Sequence, residues 1–195
     1  MSLDLTTRPA RKSDASEIAL LVNIAVHGGM ARGWAADEKA KGTYDPIEVG
    51  RLEMMDDTEF GWRNVTIAEV DGEVAGMLLG YRKADDFEAV PGTVTGFMRP
   101  IKELEAEANG RWFVSMLGVH REWRGKGVGS RLLAVADAKR AETAASGTAL
   151  IVEDANDGAR RLYERKGYTV RSRRKMVKFS GSGMSGDDWL LMVKE

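Results

Sequence analysis

The sequence predicts a mixed α/β domain whose sheet is antiparallel in its first half, and three observations predict it. Two strand-like runs, Val65 to Val70 and Val74 to Arg82, meet at Asp71-Gly72, the dipeptide that best supplies the positive φ angles of a tight hairpin turn. Two further apolar runs, Trp112 to Val119 and Thr148 to Glu153, flank a helical stretch from Gly127 to about Ala145, the pattern of one strand-helix-strand unit. The chain then finishes with strands, where a doubly wound sheet would go on alternating with helices. At 195 residues, one domain spanning residues 1–195 is expected.

Taken in order, Leu3 to Arg8 alternates apolar and polar residues as a short strand does. Ser13 or Asp14 is placed to cap a helix whose apolar face holds Ile18, Leu21, Val22 and Ala25. Gly28 to Tyr44 mixes glycine, tryptophan and charge without a clean period and reads as an irregular loop on the substrate side. Asp45-Pro46 starts a helix that runs to about Asp56. After the hairpin, Lys83 to Gly110 is a long connection with Pro91, Gly92, Gly96 and Pro100, holding one short helix from Ile101 to Ala108. Connections of that length in compact domains are usually functional or disordered. Asn156 to Lys166 is the last helix, closed by Gly167 at the position that favours a left-handed cap. Tyr168 to Phe179 and Asp188 to Val193 are the final strands around a Gly/Ser-rich turn, and no internal repeat is present.

Composition removes several function classes. With 43% hydrophobic and 30% charged residues the chain is of ordinary globular type, and its net charge of −1 lacks the basic excess of a nucleic-acid binder. No cysteine is present, which excludes disulfides, thiolate catalysis and Cys-ligated metals. His27 and His120 have no second ligand at a metal spacing and read as surface or packing residues, so no metal is expected. The sequence has no apolar run long enough to cross a bilayer and no secretory layout at its start. The expectation is a cytoplasmic enzyme or binding protein with neither a membrane nor a nucleic-acid partner.

The chemistry concentrates in Arg124-Gly125-Lys126-Gly127-Val128-Gly129-Ser130, between a buried strand and a helix. Backbone N–H groups at a helix start attract anions, glycine lets a ligand approach the amides, and Arg124 and Lys126 add positive charge. A phosphate site is the natural reading, since a simple tight turn needs neither three glycines nor two cations. A nucleoside-triphosphate loop would require lysine before Ser130, where Gly129 stands. A dinucleotide site is the more serious rival, because Glu153 and Asp154 end the next strand roughly where a ribose-binding acid belongs. That motif, however, would need glycine at position 130 and more alternating units afterwards.

These residues resemble the GNAT superfamily of acyl-CoA-dependent N-acyltransferases. Its signature Arg/Gln-x-x-Gly-x-Gly/Ala is matched by Arg124, Gly127 and Gly129, and a second match follows at the family's spacing: Asn156, then Leu162-Tyr163-Glu164-Arg165-Lys166-Gly167-Tyr168. Positions seven apart on a helix lie on nearly the same face, so Asn156 and Tyr163 are expected to face one ligand. The resemblance covers Trp112 to Tyr168 strongly and the first strand, helix and hairpin loosely; Gly28 to Asp57 and Lys83 to Gly110 gain almost nothing from it, and residues 28–63 and 83–110 are expected on the acceptor side. Asp157-Gly158 stands where the family often has proline, and Tyr168 where phenylalanine is common.

The resemblance implies a mixed, mostly antiparallel central sheet flanked by helices, with a parallel strand pair splayed at the cofactor site. It implies acetyl-CoA as cosubstrate, with the core at residues 112–168. Amides from Arg124 through Ser130, that is Arg124, Gly125, Lys126, Gly127, Val128, Gly129 and Ser130, would hold the pyrophosphate, while Leu117 and Val119 pair with the pantetheine arm. N–H groups near Leu117 and Gly118 would polarise the thioester carbonyl if the strand bulges there. Asn156 would bond the pantetheine or cap its helix, and Tyr163 would protonate the departing sulfur.

The general base has no such assignment. Many family members carry a glutamate on the strand before the phosphate loop, yet Trp112 to Val119 holds no acid. Water near Ser115, or Asp86, Glu103 or Glu107, remain open. Asp85, Asp86, Glu88, Glu103, Glu105 and Glu107 either favour a cationic acceptor or form a solvated face. Trp34, Phe60, Trp62, Phe87 and Phe97 either line an acceptor pocket or fill a core. Arg171-Ser172-Arg173-Arg174-Lys175 reads as exposed strand, with a reach to the outer phosphate of CoA as the other option. The expected function is acetyl transfer to a primary amine of a small molecule or protein through a ternary complex, the terminal strands being compatible with a homodimer. The alternative is a non-catalytic CoA-binding sensor or interaction module.

Overall fold

The computed structural model describes residues 3–41, 45–86, 92–178 and 185–195. Its strands are β1 (Leu5–Pro9), β2 (Val65–Val70), β3 (Glu73–Arg82), β4 (Trp112–Val119), β5 (Thr148–Glu153), β6 (Thr169–Lys175) and β7 (Asp188–Lys194). Its α-helices are α1 (Ala15–Ala25), α2 (Gly29–Lys41), α3 (Pro46–Met55), α4 (Met98–Ala106), α5 (Val128–Glu142) and α6 (Asp157–Arg165). The strands form one mixed sheet in the order β1-β2-β3-β4-β5-β7-β6, with β4 and β5 its parallel pair. Two compact units are distinguished, one up to Gly80 with Met116–Val135, the other Tyr81–Ser115 with Ala136–Glu195.

In the first unit the β2–β3 hairpin turns on Asp71 at φ 52° and Gly72 at φ 86°, as the Asp-Gly dipeptide predicts. α1 buries Ile18, Leu21 and Val22 of the apolar face read from its period, together with Ala19, while Ala25 of that face is half-buried. Gly118 on β4 has a reason that the sequence did not disclose: a Cβ there would collide with the carbonyl oxygen of Leu21 on α1. A Cβ at Gly76 on β3 would in turn lie 2.7 Å from the Gly118 carbonyl oxygen. Asp14 occupies the N-cap position of α1 without capping it by its side chain. Its carboxylate accepts the Arg11 N–H at 2.6 Å and the Arg8 guanidinium at 2.7 Å instead. Those partners, Arg8 foremost, hold the Asp14 carboxyl below the usual carboxylate range.

The expected irregular loop from Gly28 to Tyr44 is, over its described part, the helix α2. Trp34 explains the difference. Its ring is buried against Gly50 of α3, where a Cβ would come within 2.6 Å of it, and its indole N–H donates to Glu53 at 2.8 Å. One large side chain seated on a neighbouring helix thus supplies what the weak apolar period does not. α3 begins as the sequence predicts, with Asp45 accepting the Ile47 N–H and Pro46 in the first turn.

In the second unit the parallel ladder joins Trp112–Val114 to Thr148–Leu150. β5 continues to Glu153, and β7 pairs antiparallel with it along its whole length, Thr148 with Lys194 through Glu153 with Trp189. β6 is the outer strand beside β7, with a register shift between Val170 and Ser172. α4, starting slightly earlier than the expected Ile101, packs on β6 and β7. Its buried Glu105 accepts from Lys83 at 3.3 Å and Lys102 at 2.8 Å, and the Lys83 ammonium lies 5.3 Å from the Phe113 ring centroid. Glu103 and Glu107 bind Arg174 at 3.2 and 2.7 Å, and Asp188 binds Lys175 at 3.0 Å.

The long connection and the basic strand therefore share a purpose. The acids Glu103 and Glu107 neutralise the strand that the basic run forms, and Asp85 is bonded to Arg82 at 2.9 Å. Of the aromatic candidates, Trp34 is core, while Phe60 and Phe97 are exposed and Trp62 stacks under Arg63 at 4.6 Å. Phe87, Glu88 and the Gly/Ser-rich turn around 179–184 lie outside the described residues.

Candidate active site

The phosphate-loop candidates lie at the start of α5. Arg124, Gly125, Lys126 and Gly127 are exposed, Val128 is buried, and Gly129 and Ser130 are half-buried. Gly125 and Gly127 have φ of 76° and 90°, with nothing within 4 Å of the position a Cβ would take. Glycine is thus required by backbone conformation, and the open space on that side is what an approaching ligand needs. The Arg131 N–H donates to the Gly127 carbonyl at 3.0 Å, closing the first helical turn. The N–H groups of Val128, Gly129 and Ser130 precede that bond and point out of the helix start, where the macrodipole is positive. Arg124 is steadied by its Nε donating to the Val119 carbonyl at 3.2 Å, and Lys126 by its ammonium lying 4.5 Å from the Trp123 ring centroid.

On β4, Leu117 and Val119 are half-buried and Gly118 is buried. Directly after the strand, His120 pairs its Nε2 with Glu17 of α1 at 2.5 Å, while its backbone N–H donates to Ala75 at 3.0 Å. A histidine read as surface or packing therefore ties α1 to the strand end. Ser115 is half-buried.

In the second unit, Asn156 is the N-cap of α6, at φ −82° and ψ 68°, and its Oδ1 accepts the Ala159 N–H at 3.2 Å. The seven-residue spacing to Tyr163 thus starts from a cap and not from a helical residue, which corrects the simple face argument. The amide nitrogen of Asn156 keeps its donors beyond that bond. Tyr163 is buried, 8% exposed, with its ring 6.0 Å from that of Tyr168. Burial pushes its phenol upward, so it retains its proton at neutral pH. Gly167 ends the helix at φ 88°, as read from the sequence.

Glu153 escaped the sequence reading except as a ribose acid for a dinucleotide. It is 6% exposed at the end of β5, and its carboxylate accepts the Ser185 N–H at 3.3 Å. The only signal was an apolar strand that closes on two acids. Among the described residues, no group of three or more His, Asp or Glu side chains is arranged to hold a metal ion, and no helix is long and apolar enough to cross a membrane.

Comparison with solved structures extends over the whole chain. An acetyltransferase crystal structure matches with a TM-score of 0.64 at 21% identity, covering 97% of this chain and 98% of that one. An N-acetyltransferase from Staphylococcus aureus Mu50 matches with a TM-score of 0.61 at 15% identity, covering 97% and 100%. Naa50 of Arabidopsis thaliana, in complex with the bisubstrate analogue CoA-Ac-MVNAL, matches with a TM-score of 0.61 at 15% identity, covering 100% and 99%. At these identities the likeness is one of fold. Among curated proteins nothing matches the chain. The Acetyltransferase (GNAT) family model matches residues 34–168, which take in the phosphate loop, Asn156 and Tyr163. With that match over most of its length, the chain belongs to the GNAT acetyltransferase family.

Proposed function

We propose that the protein is an N-acetyltransferase that moves the acetyl group of acetyl-CoA to a primary amine of a small molecule or protein, by direct attack in a ternary complex. The observation that carries this reading is the start of α5, where exposed amides and two positive-φ glycines leave open space beside two steadied cations. Within the loop from Arg124 through Ser130 the N–H groups of Val128, Gly129 and Ser130 lead in holding the pyrophosphate, those of Arg124 and Lys126 already donating to the Arg121 and Trp123 carbonyls, and the edge of β4 at Leu117 and Val119 pairs with the pantetheine arm. The N–H groups of Leu117 and Gly118 polarise the carbonyl, and Asn156 adds a hydrogen bond to pantetheine beside its capping role. Acetyl-CoA supplies the activated acyl group. Tyr163, held protonated by burial, gives its proton to the sulfur as the carbon–sulfur bond breaks.

A screen of amines and peptides with acetyl-CoA, following the released thiol with a thiol reagent, tests the reading, and the protein contributes no cysteine background. Turnover with at least one acceptor is expected. Tyr163→Phe should bind CoA as the parent does and turn over about 10²-fold or more slowly; unchanged turnover would remove Tyr163 as the acid. A second reading, a CoA-binding module without turnover, draws on the acid-free strand Trp112–Val119. CoA-induced stabilisation with no acceptor consumed would favour it.

A further inference from the structure

We propose that the open edge of β6 is a docking strand for an extended, acidic segment of a partner protein, which adds to the sheet as an antiparallel strand. β6 ends the sheet order beyond β7, and among the described residues no strand pairs with its other edge. The Met176 N–H donates to the Asp187 carbonyl at 2.9 Å, so in this antiparallel ladder the neighbouring pair, Lys175 with Asp188, is a non-bonded one. In agreement, the Asp188 carbonyl is turned to the other side of β7, where it accepts the Asp154 N–H at 3.0 Å. Arg173, paired with Leu190, stands two residues away and repeats the pattern. The N–H and carbonyl groups of Arg173 and Lys175 therefore face out of the sheet edge, the array that a further strand completes.

The charge of this edge selects the occupant. Ser172 and Arg174 turn to α4, where Glu107 and Glu103 receive them. Arg173 and Lys175 lie on the opposite face, with side chains 68% and 82% exposed, and share one carboxylate, Asp188, at 3.7 and 3.0 Å. Arg171, at the register shift, is exposed as well. A second copy pairing edge to edge would set this basic run against another basic run, and like charges across a ladder repel. A partner strand with acids at alternate positions instead places carboxylates opposite Arg173 and Lys175, on the face that has too few. Val170 and Val177, both exposed, bracket the run and offer apolar contact at either end. Beside Val177, Pro100, Arg174 and Lys175 help to line a cavity of about 400 Å³, room for one side chain of the added strand.

The probe is the synthetic peptide acetyl-(Glu-Thr)4-amide, long enough to span β6, added to the full chain. In the ladder each glutamate opposite Arg173 or Lys175 exchanges both backbone hydrogen bonds with it. At saturating peptide the amides of these two residues should therefore exchange with deuterium about tenfold or more slowly, read by NMR. The Arg174 N–H faces β7 and should not change. An isomer with its four glutamates consecutive, equal in charge and composition, should bind about threefold or more weakly, and acetyl-(Lys-Thr)4-amide should not bind.

The double variant Arg171→Gln, Arg173→Gln leaves Asp188 its Lys175 partner, and should bind the alternating peptide about threefold or more weakly than the parent. Parental affinity in that folded variant overturns the inference. So does equal affinity of the parent for the alternating and consecutive peptides, an absence of protection at Arg173 and Lys175, or an absence of binding at millimolar peptide. Those comparisons use only the parental protein, so they decide even where the variant does not fold. Protection of the same amides that rises with protein concentration in the absence of peptide makes a second copy the occupant and likewise overturns the acidic partner. Acetyl transfer stands or falls separately, since none of these readouts involves CoA or an amine acceptor.

Discussion

Gly127 sits at φ 90° with open space where its Cβ would be, so substitution there acts through the backbone and through whatever approaches it. A β-branched residue at that φ carries a cost of roughly 1–2 kcal/mol from left-handed backbone alone, and its methyls would fill the approach to the helix-start amides. Gly127→Val is expected to abolish the CoA-induced rise in Tm while the free protein still unfolds cooperatively, as followed by thermal melting. Asp14 has an acid-sensitive role of another kind. Its carboxyl is lowered in the folded state, chiefly by Arg8, so its stabilisation is complete above the unfolded value near ~3.9 and is lost as pH falls through the lower folded value. Asp14→Asn should cost about 1 kcal/mol near neutral pH. Urea unfolding of the two proteins at a series of pH values should show the gap closing in acid.

Helices α2 and α3 show what an element needs beyond its own period. α2 has no clean apolar stripe, and the placement of Trp34 over Gly50 is a relation between two helices that a reading of either segment alone does not contain. Gly50→Ala puts a methyl where the ring already stands, 2.6 Å away, and should destabilise by about 1–3 kcal/mol, measured by the shift of the urea midpoint. α4 makes the same point with charge. Glu103 and Glu107 are eight and four positions from Arg111 in sequence, yet their partner is Arg174 on β6, so a segment that looked like an acidic surface is half of an ion-pair network. The hairpin, the start of α3 and the end of α6 were legible because Asp71-Gly72, Asp45-Pro46 and Gly167 act within a few residues of themselves.

For the molecule as a whole, CoA should stabilise the fold by mass action. At a hundred times its Kd the gain is about 2.7 kcal/mol, or roughly 5–10 °C in Tm for a chain of this size, and NAD should give no comparable rise; differential scanning fluorimetry with each ligand checks it. The sequence by itself determined the order of elements apart from α2, the glycine loop at the start of α5, the α6 motif and the family they belong to. Each of these is written in spacing, turn chemistry and local backbone preference, which act over a few residues. Only the tertiary structure decided that Gly118 serves the approach of α1, that His120 meets Glu17, that Trp34 makes a helix of an irregular segment, and that Glu153 is buried at the end of β5. Burial and pairing between residues far apart in the chain arise from packing, and no local pattern encodes the distance that results.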